Sequence, residues 1–215
     1  RDVASLAIEA ADGADAAVVT DFGLGLLSHR STASLFEALR SRVRILAGDV
    51  SGPRDTLAAM TGADWISPSE VELRGVVGDQ TSSLPTAAWE LQRVIAVDTL
   101  TVTLAGEGLV VFTPEQVADA SEREAAAEPD YWPRRLSSEH IPSLADDVVD
   151  TLGCGDALLA AAALSLAVGG SPIDAAYLGA LAAVFAAATL GNLPVQSADL
   201  ARRLRAADGP VLVVH

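Results

Sequence analysis

The sequence predicts an α/β fold in which a mostly parallel β-sheet is flanked by helices on both faces. Three observations predict it. Short apolar runs rich in Val, Ile and Leu alternate with longer stretches of helical periodicity, the order expected of strands joined by crossover helices. Half of the 215 residues are apolar, enough to build a buried core. Finally, Asp21, Asp49, Ser67 and Thr103 stand at the ends of four apolar runs. Ligands of open α/β sheets bind beyond the carboxyl ends of the strands, so these four describe one edge of one site.

The elements follow in order. A strand from Ala16 to Thr20 ends at Asp21, and a helix from Ser31 to Ser41 follows with Ser31 as its cap. Val43 to Ala47 is the next strand, running out at Asp49. A short helix from Arg54 to Met60 leads to a brief strand, Trp65-Ile66-Ser67, and a further helix opens near Ser69. A helix from Pro85 to Ile95 precedes two strands, Leu100 to Leu104 and Leu109 to Phe112, on either side of the turn Ala105-Gly106-Glu107-Gly108. Residues 113–138 break the rhythm with charge, Pro129 and Pro133, and are expected to form a surface insertion. Two Ala-rich helices lie within Asp156 to Ala188, separated by Gly169-Gly170-Ser171-Pro172. A helix from Ser197 to Ala206 and a strand from Val211 to Val214 end the chain, which is expected to form a single domain over residues 1–215.

Composition narrows the partners. The formal net charge is −15 and all 14 cationic side chains are Arg, so no electrostatic footprint for nucleic acid is present. An anionic ligand must therefore be held by backbone N–H groups, a few arginines and a metal. The one cysteine, Cys154, excludes an internal disulfide and fits a reducing cytoplasm. Its place at a helix start could lower its thiol pKa, although a small residue in an Ala slot is the plainer reading. The opening residues do not resemble a leader, and the glycine–proline break and Asp174 argue against a membrane span in the Ala-rich stretch.

The segment Asp150-Thr151-Leu152-Gly153-Cys154-Gly155-Asp156 carries the chemistry. Two glycines let the backbone approach a ligand closely, and helix-initial N–H groups carry partial positive charge, so the turn can hold an anion. An acid in that place repels an anion unless it has work to do. Asp156 fits as the acceptor of a proton from a nucleophile that attacks a phosphate held there. Five fixed residues at ordinary frequencies coincide on the order of once in a million start positions, so this spacing is specific.

The heptad resembles the D-T-x-G-A-G-D signature of the ribokinase, or PfkB, family of carbohydrate kinases, with Cys154 at the usual Ala. Thr20-Asp21-Phe22-Gly23-Leu24-Gly25 is similar to the S-D-Y-G-K-G segment of the heptose 7-phosphate kinases of that family, and Asp49-Val50-Ser51-Gly52 stands where they have D-P-K-G. The stretch from Gly62 to Glu72 resembles their G-A-x-x-x-T-P-N-x-x-E, and Thr103 to Gly108 matches the nucleotide-side T-x-x-x-x-G turn. The resemblance implies a ribokinase-like fold and transfer of the ATP γ-phosphate to a hydroxyl of a sugar or sugar phosphate, best taken as a heptose 7-phosphate. It places the γ-phosphate on the N–H groups of Gly153, Cys154, Gly155 and Asp156, with Asp156 as the base. Thr103, Gly106, Gly108 and Asn192 fall on the nucleotide side, and Asp21, Gly23 and Asp49 on the substrate side. Mg²⁺ would accompany ATP, with Glu72 in its outer shell. The insertion, with Tyr131 and Trp132 beside Arg134 and Arg135, could then act as a flap over the nucleotide.

Departures from the pattern stand beside it. Ser69 replaces the Asn of N-x-x-E, lysines are missing near Leu24 and Ser51, and Ala180 stands at a usual Asn. The resemblance covers Asp12 to Leu200, and the family's N-terminal strands, lid and sugar-reading glycine pair have no counterpart in this sequence. A fragment of a longer kinase is the expectation, with a homodimer possible. The alternative is a degenerate, non-catalytic family member that acts as a nucleotide-binding or scaffold subunit.

Overall fold

A computed structural model of the chain describes residues 3–52, 54–114, 136–145, 147–191, 193–206 and 213–214. Seven strands form one sheet in chain order: β1 (Ala16–Asp21), β2 (Ile45–Val50), β3 (Trp65–Ile66), β4 (Thr99–Thr103), β5 (Leu109–Pro114), β6 (Leu136–Ile141) and β7 (Val213–Val214). The pairs from β1 to β4 are parallel and those from β4 to β7 antiparallel. Helices α1 (Val3–Ala10), α2 (His29–Arg40), α3 (Glu70–Val77) and α4 (Leu84–Ile95) precede β4. Helices α5 (Cys154–Ala167), α6 (Pro172–Ala187) and α7 (Ser197–Ala206) follow β6.

The strand order decides which face each helix covers. Every parallel crossover steps the same way along the sheet, so right-handed connections place α2, α3 and α4 on one face. There Phe36, Leu73, Leu91 and Ile95 pack on Leu46, Ile66, Leu100 and Phe112. The opposite face shows the alternate strand residues Ala47, Trp65 and Val111, and α5 and α6 cover it with Leu158, Leu159, Ala162 and Ala176. These two helices are Ala-rich on every side because each touches both the sheet and the other. A Cβ on Gly179 would stand 2.9 Å from the Leu158 carbonyl oxygen, closer than such contacts allow.

Several expectations shift. Helix α2 is capped by Ser28, not Ser31; Ser31 is its third residue and completes a reciprocal capping box. Strand β2 begins at Ile45, two residues later than expected, because Arg44 and Ile45 both donate to the Asp15 carbonyl at 3.1 Å and set the register on β1. The helix expected from Arg54 is only a 3₁₀ turn, Leu57–Ala59. Both ends of the expected 113–138 insertion are strand: β5 runs to Pro114 and β6 starts at Leu136. Strand β6 escaped notice because Leu-Ser-Ser-Glu-His-Ile has no apolar run, and its pairing is set by β5 alongside. Helix α1 was not anticipated either; none of its residues is buried. The remainder of the insertion, with Tyr131, Trp132, Arg134 and Arg135, lies outside the described residues.

Candidate active site

The motif helix α5 starts from Gly153, whose backbone is left-handed with φ +82°. That conformation suits glycine and turns the chain so that the helix begins abruptly. The Cys154 N–H closes the turn onto the Thr151 carbonyl at 3.3 Å. The N–H groups of Gly153, Gly155 and Asp156 find no acceptor among the described residues, which leaves them as anion-binding donors at the positive end of the helix. Asp150 locks the turn from below: one carboxylate oxygen accepts Leu152 N–H at 3.0 Å and the other accepts Gly191 N–H at 3.1 Å. These two bonds hold the Asp150 carboxyl below its usual range. The sequence motif includes Asp150, but its bridge to the loop after α6 leaves no local sequence signal.

Two adjoining cavities meet at this helix start. The larger, about 710 Å³, is mostly apolar and lies between the β4–β5 hairpin and helices α5 and α6, with Gly106, Gly108, Leu158 and Ala180 in its wall. The smaller, about 450 Å³, lies over the ends of β1, β2 and β3, with Asp21, Asp49, Ser67, Glu72 and Asp156 in its wall. Ser69, Thr103, Thr151 and Gly155 line both. Asp156 lines the smaller alone.

The expected site residues fall as follows. Thr103 ends β4, bridges to Ser69 and donates its N–H to the Pro68 carbonyl at 3.0 Å. Gly108, at φ +96°, brings β5 against the end of β6 so closely that a Cβ would overlap the Ile141 carbonyl. Gly106 has nothing within 4 Å of a would-be Cβ. Asn192 lies outside the described residues. Asp21 is buried with both carboxylate oxygens engaged, one by Gly23 N–H at 2.9 Å and the other by the Thr56 hydroxyl at 2.7 Å. Gly23, at φ +68°, lies against the Arg54 guanidinium.

Asp49 is the electrostatic focus of the smaller cavity. Burial, then the Glu72 carboxylate, and less strongly Asp156, push its pKa up to about 8, against one lowering hydrogen bond from Val50 N–H. Its Oδ1 has no partner among the described residues. Its Oδ2 lies 3.7 Å from where a Cβ on Gly155 would stand, so the first turn of α5 rests on it. Ser67, one strand further, also keeps an unpartnered buried hydroxyl. Burial raises Asp156 above the usual carboxylate range. The Cys154 thiol is raised too, by burial and then by the Asp150 charge, which corrects the lowering its helix-start position suggested.

Glu72 serves the scaffold of the site. Its carboxylate accepts Gly52 N–H at 2.6 Å through one oxygen, and the N–H and hydroxyl of Ser69, each at 2.7 Å, through the other. It is thus the third residue of the α3 capping box and a tie to the loop after β2. No group of three His, Cys, Asp or Glu side chains able to hold a metal occurs among the described residues. The donors around the smaller cavity are nevertheless all oxygen, and the unpartnered Asp49 Oδ1 suits a hard cation such as Mg²⁺.

The mixed sheet with helices on both faces and the glycine-led helix start place the fold in the ribokinase-like class of α/β proteins. Residues 9–195 match the family model described as pfkB family carbohydrate kinase, and the chain belongs to that family. Among curated relatives, the bifunctional protein HldE of Pseudomonas savastanoi pv. phaseolicola is 26% identical over 200 residues, which are 92% of this chain and 37% of the relative. That of Magnetococcus marinus is 31% identical over 186 residues, 85% of this chain and 34% of the relative. The chain therefore spans about a third of the length of these curated relatives. Among solved structures, phosphofructokinase-2 from Escherichia coli superposes with a TM-score of 0.70 at 17% identity, over 93% of this chain and 59% of that one. Ribokinase from Arabidopsis thaliana, solved with ribose and ATP, gives 0.66 at 20% identity, over 92% and 58%. No helix among the described residues is long and apolar enough to cross a membrane.

Proposed function

We propose that this chain is the nucleotide-binding and catalytic part of an ATP-dependent sugar kinase that phosphorylates a hydroxyl of a sugar phosphate, with a heptose 7-phosphate as acceptor. One observation carries the reading. The larger apolar cavity and the smaller acidic one share Gly155, while Asp156 lines only the smaller. A nucleotide base and ribose in the larger cavity would bring the terminal phosphate onto the free N–H groups of α5. The acceptor hydroxyl would then lie beside Asp156, and in-line transfer needs little beyond such positioning and charge stabilisation. Asp156 would take the hydroxyl proton at its carboxylate. The similarity to HldE proteins supports the heptose phosphate as acceptor.

Mg²⁺ delivered with ATP would supply counter-charge to the phosphates, held by Asp49 and, through water, by Glu72. This need is sharp because, among the described residues, no Arg, Lys or His lines either cavity. The site belongs to the cytoplasm, where ATP and sugar phosphates are found. The test is ATP turnover by the complete gene product with a panel of sugars and sugar phosphates. Turnover with a heptose 7-phosphate above all others is expected; binding of ATP without turnover on any sugar would favour a non-catalytic subunit instead.

A further inference from the structure

We propose that Arg54 is the specificity residue that reads the phosphate already carried by the acceptor. The proposal rests on the sugar-kinase reading and names the group that selects its substrate class.

The geometry of two loops supports it. The loop after β1 and the loop after β2 are fastened together at the substrate side of the smaller cavity. The Thr56 hydroxyl donates to Asp21, Ser51 N–H donates to the Asp21 carbonyl at 2.8 Å, and His29 Nδ1 lies 3.0 Å from the Asp55 carbonyl. Arg54 lies across this seam. Its Nε donates to the Ser51 carbonyl at 2.8 Å, and its guanidinium lies against Gly23, where any Cβ would overlap it. The stem is thereby fixed, while Nη1 and Nη2 have no hydrogen-bond or ion-pair partner among the described residues.

Charge gives the seam its meaning. Among the described residues, the smaller cavity is walled by five acidic side chains, those of Asp21, Asp49, Glu72, Asp150 and Asp156, and by no cation. Such a wall repels an acceptor that is itself anionic. Arg54 stands beside that wall, bonded to the carbonyl of the lining residue Ser51 and set against Gly23, which follows the lining residue Phe22 in the chain. A guanidinium anchored through Nε still offers a planar pair of N–H donors, the form that matches a phosphate oxygen pair. It lies on the β1–β2 side, whereas the larger cavity lies on the β4–β5 side. An anion that met Arg54 would therefore be the remote phosphate of the acceptor rather than the phosphate tail of the nucleotide.

The experiment compares wild type, Arg54→Ala and Arg54→Lys in the complete protein. KM and kcat are measured with a heptose 7-phosphate, with the same heptose lacking its phosphate, and with ATP varied. Removing one charge-assisted phosphate contact should raise KM for the phosphorylated acceptor about tenfold to hundredfold. The KM for ATP, kcat and the poor KM for the bare heptose should stay unchanged, and Arg54→Lys should recover only part of the loss. An equal rise for both acceptors, a rise confined to ATP, or no change overturns the proposal. Equilibrium binding of the two heptoses by calorimetry provides an arm independent of turnover. If wild type phosphorylates neither heptose, the heptose acceptor of the proposed function fails. The assignment of Arg54 still stands or falls on whether Arg54→Ala abolishes the binding preference for the phosphorylated sugar.

Discussion

The Glu72 carboxylate, on the first turn of α3, reaches the Gly52 N–H of the loop after β2 at 2.6 Å while its other oxygen closes the Ser69 cap. One side chain therefore fixes a helix start and the floor of the smaller cavity together. Two consequences separate when the charge is removed.

Glu72→Gln keeps the shape but offers one acceptor oxygen in place of two, so either Gly52 or the cap loses its partner. A stability loss of about 1–2 kcal/mol is expected, read as a lower urea midpoint with an unchanged slope. In the complete enzyme the Mg²⁺ concentration for half-maximal rate should rise more than KM for the sugar, because an outer-shell carboxylate acts through metal-bound water. A larger change in sugar KM would place Glu72 in the acceptor site.

Asp156→Asn should lower kcat by about 10²–10⁴ and leave ATP affinity nearly intact. The residue lines the smaller cavity and not the larger one, so on the proposed reading its loss removes proton acceptance without touching the nucleotide. Wild-type turnover by this variant would reduce the motif to a binding turn.

Asp49 makes stability depend on pH with a definite sign. Its folded pKa of about 8 exceeds the ordinary 3.8, so the folded state binds its proton more tightly than the unfolded state does. The stabilisation is complete below the unfolded value and is lost as pH rises through the folded one, by up to ~1.4 kcal/mol per pH unit across that window. Asp49→Asn should flatten the decline, so that the variant's melting temperature exceeds wild type at pH 8 and converges with it near pH 4. Parallel profiles for the two proteins would show that Asp49 stays ionised in the fold.

Two glycines two residues apart should respond very differently. Gly108→Ala forces a Cβ into the Ile141 carbonyl at a left-handed backbone and should cost about 2–4 kcal/mol. Gly106→Ala meets open space and should stay within about 0.5 kcal/mol of wild type. Thermal unfolding of both variants decides the matter, and equal effects would mean that the β5–β6 junction is looser than its geometry.

Much of the sheet was legible because β4 and β5 are largely buried and read as the apolar runs Leu100–Thr103 and Leu109–Phe112, while Ala16–Thr20 of β1 is an apolar run even though Val18 is exposed. Strand β6 was not, since Ser137, Ser138, Glu139 and His140 owe their extended form to β5 and carry no signal of their own. The same division holds at the site. The Gly153 turn and Asp156 follow from a compact spacing in one helix start. The uses of Asp21 and Glu72 do not, because their partners Thr56 and Gly52 lie 35 and 20 residues away. Arg54 was passed over for the same reason: its environment is made by Gly23, from a different loop.

The uniform stepping of β1 to β4 also sets an order of events during synthesis. As each strand leaves the ribosome it can pair with its predecessor, and α2, α3 and α4 cover one face of the growing sheet at once. The other face stays bare until α5 and α6 have been made, well over a hundred residues after β1. Asp49 on β2, Ser67 just after β3 and Thr103 on β4 thus wait without their partner helix until α5 has been made. Closure of the two cavities at the start of α5 is consequently a late docking event, and damage to the α5–α6 pair should leave one face of the sheet uncovered and both cavities unformed.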